Sequence, residues 1–167
     1  MSWLWLILGL VALQRVAELV YAQRNTERLL ANGGVEIGSS HYSLIVLLHA
    51  AWLITMAVVI PPYVTPNWWV IGLYVLLQPL RIWTIVTLGP YWTTRVVTVP
   101  NAPLIRTGPY RVLRHPNYVV VCAEIAILPL AFGAVDIAII FSILNAALLS
   151  YRIRIEERTL AGRRKTS

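Results

Sequence analysis

The chain has 167 residues, of which 58% are hydrophobic and 13% are charged, and its formal net charge is +7. Ordinary soluble domains have about 45–50% apolar and about 25% charged residues, so this composition excludes a soluble domain with a full polar surface. The positive charge does not indicate nucleic-acid binding, because every basic stretch adjoins an apolar segment. We therefore predict an all-α polytopic membrane protein that forms a single domain over residues 1–167.

Apolar segments predict about five transmembrane helices. The first begins at Trp3 without a positive n-region or a cleavage site, so we interpret it as a retained span and not as a signal peptide. The fourth is short, but about 16 residues at a rise of 1.5 Å nearly cross a thin hydrocarbon core. In chain order the predicted spans cover about residues 3–21, 44–60, 68–88, 117–132 and 134–151.

The basic residues predict an orientation. If the N-terminus is outside and the spans alternate, the outer connections at 61–67 and 133–136 contain no Lys or Arg. Arg15 and Arg81 then lie in the inner halves of their spans, so all 14 positive residues are on one side, as the positive-inside rule expects. This predicts a cytoplasmic C-terminus. The other basic residues lie in the inner segments 22–43, 89–116 and 152–167.

The connection at 89–116 is the longest in the chain, and long ordered connections are often functional. Proline fixes the backbone angle φ, so a proline-rich connection is unlike a flexible coil. We predict a folded cap over the inner membrane surface. Its prolines are Pro90, Pro100, Pro103, Pro109 and Pro116.

Two polar blocks flank the last two predicted spans. Pro116 suits the first position of a helix, which leaves His115 beside a helix N-terminus where free N–H groups favour an anion. The nearby Arg106, Arg111 and Arg114 either help to hold a carboxylate or phosphate, or anchor the chain to anionic lipid head groups. After the last span, Arg152 and Glu156 are four residues apart and share a helix face, either in a site or as an ordinary solvated pair.

Several ionisable residues lie within the predicted spans. Charges in a membrane are costly and usually mark a site, although a structural Glu124–Arg81 pair would explain the most deeply placed carboxylate. His41 lies at the inner mouth of its span and could reach a site there, whereas His49 is interpreted as a hydrogen-bonded bundle residue. Cys122 is interpreted as a small buried hydrophobe. The embedded charges are Arg15, Glu18, Arg81 and Glu124.

No Cys/His spacing resembles a metal site, and no glycine pattern resembles a dinucleotide-binding or phosphate-binding loop. Four ordered blocks instead resemble the isoprenylcysteine carboxyl methyltransferase family. They are Leu88-Gly89 through Thr94, Leu104 through Arg111, Arg114-His115-Pro116-Asn117-Tyr118, and Arg152-Ile153 with Glu156-Glu157. The first half, with Arg15, Glu18, Arg24-Asn25 and Glu36 to Tyr42, resembles a bacterial branch associated with methylating alkylpyrones or related phenolic lipids.

The resemblance implies a membrane methyltransferase that binds S-adenosylmethionine under a cytoplasmic cap, through segments of about 89–118 and 150–160. It implies Arg152 at the methyl-transfer centre, with Glu156 beside it. We add Glu124 as a candidate general base for an acceptor hydroxyl. The implied cofactor-binding residues are Leu104, Gly108, Pro109, Tyr110, Arg114, His115, Pro116, Asn117, Tyr118, Glu156 and Glu157.

The expected acceptor is a lipophilic molecule with a carboxyl or an acidic hydroxyl group, such as an alkylpyrone or a prenylated carboxylate. Many family members have a glycine soon after the tyrosine of the third block, where this chain has Val119 to Val121 and then Glu124, which puts a prenyl-cysteine acceptor in doubt. Besides the acceptor we expect contacts with membrane lipids, no nucleic acid and no obligate protein partner, in a bacterial inner membrane. Two alternatives stay open: an NADPH-dependent oxidoreductase resembling the sterol reductases, which have a similar Arg-His-Pro-Asn-Tyr block, and a non-catalytic lipid-binding protein.

Overall fold

The computed structural model describes residues 2–37, 40–99 and 105–164, with side chains at 2–37, 42–99 and 105–157. These residues form five α-helices, two short strands and two 3-10 turns, Gly89–Tyr91 and Gly108–Arg111. The strands are β1 (Val35–Ile37) and β2 (Val96–Thr98). The helices are α1 (Trp3–Ala31), α2 (Ser40–Val59), α3 (Trp68–Leu88), α4 (Pro116–Ala131) and α5 (Val135–Arg164).

Four segments of the described chain are long and apolar enough to cross a membrane: Trp3–Ala31, Tyr42–Val59, Trp68–Tyr91 and Val135–Glu157. The fifth helix, Pro116–Ala131, is apolar but shorter, at 16 residues. The prediction of an all-α polytopic membrane protein is confirmed.

Two helices extend beyond their predicted apolar spans. α1 continues to Ala31 and α5 to Arg164, whereas the apolar segments end near residues 21 and 151. The added turns are rich in Arg, Glu and Gln, which are good helix formers even though they are polar. At 1.5 Å per residue, the 29 residues of α1 span about 44 Å, so the helix is longer than a hydrocarbon core of about 30 Å.

The helices pack so that α4 lies between α3 and α5, while α2 contacts α5 and α1. The core between them is apolar and includes the fully buried Trp52, Met56, Ile125 and Leu128. Cys122, in contrast, is exposed on the surface of the bundle, so its interpretation as a buried residue was wrong. Successive residues of a helix point in different directions around its axis, so a continuous apolar run does not show which of its residues face the core.

At one end of the bundle, short connections join the helices tightly. The Asn67 side chain accepts hydrogen bonds from Trp69 N and Val70 N and so caps α3, while its backbone N–H donates to Ala131 O over 2.7 Å. The rings of Trp3 and Trp68 pack edge to face with centroids 5.0 Å apart. This end has no Lys or Arg in its connections.

The opposite end, which we call the basic end, contains the described parts of 32–41 and 89–115 and the last turns of α1 and α5. Here β1 and β2 pair antiparallel, with Val35 opposite Thr98. An ion pair of 3.0 Å joins Arg95 to Glu36, and the same guanidinium lies 4.7 Å from the ring centroid of Tyr42. The sequence did not predict these strands, because three residues are too few to establish a period of two.

Candidate active site

The polar residues of the last two helices meet at the basic end. α4 begins at Pro116, which places His115 at its N-cap and Tyr118 in its first turn. Arg152 and Glu156 are one turn apart on α5. Because α4 and α5 pack against each other, these four side chains form one group, which we call the site cluster.

Hydrogen bonds join three members of the site cluster, and His115 lies against two of them. The Tyr118 hydroxyl donates to Glu156 Oε1 through a short hydrogen bond, and Arg152 Nε donates to the Tyr118 oxygen over 2.7 Å and to Glu156 Oε1 over 3.0 Å. His115 Nδ1 lies 3.5 Å from Glu156 Oε2. The His115 and Tyr118 rings stack with centroids 5.1 Å apart. A half-buried carboxylate and a buried guanidinium are thus paired beside two stacked aromatic rings.

Arg152 has a further contact in the cap. It is only 7% exposed, and its Nη1 donates to the backbone carbonyl of Thr94 over 2.6 Å. Thr94 ends the first block that resembles the family, but sequence reasoning assigned it no role in the site. No side-chain pattern could have indicated its contact with Arg152, since that contact uses a backbone oxygen.

The block around Gly108 packs against α3. Gly108 has φ +55°, and a Cβ at this position would lie 2.7 Å from Thr87 Oγ1, so both backbone and space favour glycine. Pro109 is buried. Burial raises the pKa of Tyr110 above its usual value, and the Glu156 carboxylate raises it further, which relates this residue to the site cluster.

Other predicted residues differ in their surroundings. Asn117 Oδ1 is buried with no hydrogen-bond partner. Arg114 and Glu157 are exposed and their charged atoms are 3.9 Å apart, so Glu156 and not Glu157 lies within the site cluster. Arg106 and Arg111 are exposed. Leu104 lies outside the described residues, and the side chain of His41 is not among those described.

A second polar group lies deeper, between α1, α3 and α4, and we call it the charge network. Glu124 Oε2 accepts hydrogen bonds of 2.6 Å from both Arg15 and Arg81, and its Oε1 accepts one of 2.9 Å from Gln78. Glu18 pairs with the same two arginines. Two cations and two anions therefore balance in a region where Glu124 is 0% exposed.

The structure does not bring Glu124 into the site cluster. It follows Tyr118 by six residues of α4, which corresponds to about 9 Å along the helix axis. The expected structural pair between Glu124 and Arg81 is present, and Gln14 and Gln78 extend it. His49 is hydrogen bonded within its own helix, since its Nδ1 lies 2.8 Å from Ile45 O.

Fold and site together define a multi-pass membrane protein with a polar, hydrogen-bonded centre at the basic end of its helix bundle. Residues 70–162 match the model of the isoprenylcysteine carboxyl methyltransferase family. The chain is also 37% identical over 160 residues to "Uncharacterized protein YpbQ" from Bacillus subtilis (strain 168), an alignment that covers 93% of this chain and 95% of that protein. No solved structure gives a significant match.

The chain therefore belongs to the isoprenylcysteine carboxyl methyltransferase family. This membership supports a methyltransferase that works in the membrane. The matched residues include the whole site cluster and exclude α1, α2 and the first two residues of α3.

Proposed function

We propose that this protein is an S-adenosylmethionine-dependent O-methyltransferase that acts on a lipophilic acceptor within the membrane. The observation that carries the proposal is the site cluster: a buried Arg152 paired with a half-buried Glu156, both hydrogen bonded to Tyr118, within the part of the chain that matches the family. A polar centre of this kind at the end of an apolar bundle suits a polar donor from water and an apolar acceptor from lipid.

The residues at the start of α4 fit the cofactor. The buried Asn117 Oδ1 lacks a partner and would accept a hydrogen bond from an amine or a hydroxyl group. The N-terminal turn of α4 favours a carboxylate, and Glu156 favours a cationic amine or ribose hydroxyls. His115 and Tyr118 stack, and aromatic faces attract a sulfonium charge. Gly108, Pro109 and Tyr110 would form the neighbouring wall.

When bound, S-adenosylmethionine supplies an electrophilic methyl group. The role that we assign to the protein is alignment of the acceptor oxygen and exclusion of water, which together supply several kcal/mol toward the barrier. Arg152 would orient the acceptor oxygen and stabilise its negative charge. Glu156 would hold the guanidinium and the Tyr118 hydroxyl in place. An acidic acceptor hydroxyl would need little help from a base; a weaker acid would need one, for which His41 is a candidate, whereas Glu124 is fully buried and paired with two arginines.

We further propose that the basic end faces the cytoplasm of a bacterial cell, with the N-terminus outside. Support comes from the charge distribution, because the connections at the opposite end lack Lys and Arg. A cytoplasmic site would also meet the water-soluble methyl donor directly. A cysteine-accessibility map of the intact membrane tests this, with the 61–67 connection labelled from outside. Labelling of this connection only from the cytoplasmic side would contradict the orientation.

The activity is tested with detergent-purified protein, labelled S-adenosylmethionine and a panel of alkylpyrones, phenolic lipids and prenylated carboxylates. We expect label in the lipid fraction for at least one class of acceptor, and a loss of about 100-fold or more in Arg152→Lys, because lysine cannot make the same planar contacts. Absence of transfer to every hydroxyl- or carboxyl-bearing lipid would refute the proposal. Hydride transfer from NADPH without methyl transfer would favour an oxidoreductase instead.

A further inference from the structure

The cap segment 89–95 connects α1 to the site cluster, although α1 lies outside the residues that match the family. We propose that Asn25 of α1 is a positioning residue for Arg152 and acts through this segment. The inference rests on the proposed function, because it assigns Arg152 the task of orienting the acceptor oxygen.

Asn25 holds the beginning of the cap segment. It is 1% exposed, and its Nδ2 donates to the backbone carbonyls of Gly89 over 3.1 Å and Trp92 over 2.9 Å. An amide nitrogen has two hydrogens, so these bonds use its full donor capacity. An aspartate of the same size could only accept hydrogen bonds and would face two carbonyl oxygens. The residue type therefore matters at this position as well as its volume.

The far end of the same segment is also held. The Thr93 hydroxyl donates to Arg95 O over 2.7 Å, and the Arg95 guanidinium pairs with Glu36. Thr94 lies between these two attachment points, two residues after Trp92. Its carbonyl orientation is thereby fixed relative to the bundle, and a release of the Asn25 contacts would shift it.

The Thr94 carbonyl accepts the third of the hydrogen bonds that hold the Arg152 guanidinium. The Nε atom of Arg152 is held by Tyr118 and Glu156, which belong to α4 and α5, and Nη1 is held by Thr94 in the cap. A planar guanidinium that is hydrogen bonded only at Nε can still change the tilt of its plane, whereas a further hydrogen bond at Nη1 fixes that tilt. Since that plane sets where the remaining N–H groups point, Asn25 determines indirectly how Arg152 meets the acceptor.

The test compares Asn25→Asp with Gln23→Glu, which makes the same amide-to-carboxylate change on an exposed residue of the same helix whose amide contacts Glu27. Both are measured for methyl transfer in the wild-type and Arg152→Lys backgrounds. For Asn25→Asp we expect kcat to fall about 10- to 100-fold while KM for S-adenosylmethionine changes little, because misplacement of a catalytic group costs up to that much. In Arg152→Lys the same substitution should have almost no further effect. Gln23→Glu should leave both constants unchanged.

A second readout does not depend on activity. In ¹⁵N-arginine-labelled protein in micelles, the Arg152 Nη–H resonances are assigned by their loss in Arg152→Lys. Their hydrogen exchange should accelerate in Asn25→Asp but not in Gln23→Glu, because Nη1 is the atom that donates to Thr94 O. An equal loss of kcat in both backgrounds would overturn the inference, since a merely structural role acts regardless of Arg152. An unchanged Arg152 exchange rate would overturn it as well. If wild-type protein methylates no acceptor, the proposed function fails, and the exchange measurement alone decides whether Asn25 positions Arg152.

Discussion

From the charge network we predict how much the Glu124→Gln substitution lowers the free energy of unfolding. The two arginines and two glutamates of the network sum to zero charge, and the substitution leaves a net charge of +1 among side chains that are between 0% and 14% exposed. The amide oxygen of the new residue can still accept from Gln78. What is lost is the anion that both Arg15 and Arg81 contact at 2.6 Å.

Removal of one partner from a buried ion pair typically costs about 3–5 kcal/mol, because the remaining charge stays buried without compensation. We expect Glu124→Gln to fall in that range. The double variant Arg15→Gln with Glu124→Gln removes one charge of each sign and restores neutrality. Its loss should be smaller than the sum of the two single losses by about 1–3 kcal/mol, as is typical of directly interacting residues.

Unfolding in mixed detergent and dodecyl sulfate micelles, followed by tryptophan fluorescence, measures these free energies. Glu27→Gln is the matched control, since Glu27 is an exposed carboxylate on α1, and it should change stability by less than about 0.5 kcal/mol. A loss below about 1 kcal/mol for Glu124→Gln would match an ordinary surface pair and refute the reasoning. So would strict additivity in the double variant.

Three further predictions concern the basic end. His115→Ala should abolish binding of S-adenosylhomocysteine, measured by equilibrium dialysis, while membrane insertion is retained; unchanged binding would refute its role. Gly108→Ala should lower the free energy of unfolding by about 1–2 kcal/mol or more, because φ is +55° and Thr87 leaves no space, whereas Gly9→Ala, with nothing within 4 Å, serves as the control and should not destabilise. The pKa of Tyr110 is raised in the folded protein, so its stabilising effect is complete below the unfolded-state pKa of about 10 and is lost as the pH rises further. Between about pH 10 and 11, the midpoint temperature of thermal unfolding should therefore fall less in Tyr110→Phe than in the wild type. An equal fall in both proteins would contradict this assignment.

Sequence reasoning identified most residues of the candidate site but not the contacts between them. The motif residues His115, Tyr118, Arg152 and Glu156 stood in blocks that resemble the family, and they meet in the structure. The family resemblance also implied that both Glu156 and Glu157 bind the cofactor. Only the orientation of α5 distinguishes them, because adjacent residues on a helix point about 100° apart and one of them must face away from α4.

The sequence by itself determined that the chain is helical, crosses a membrane and has its positive charge at one end, because these properties depend on local composition and on the length of apolar runs. Only the tertiary structure decided which charges neutralise one another and what fixes Arg152. Glu124 pairs with Arg15 across 109 positions, and Arg152 is bonded to Thr94 across 58. Contacts at such separations depend on how the helices pack, and a backbone carbonyl such as that of Thr94 is present at every residue, so no pattern of side chains can reveal which one is used.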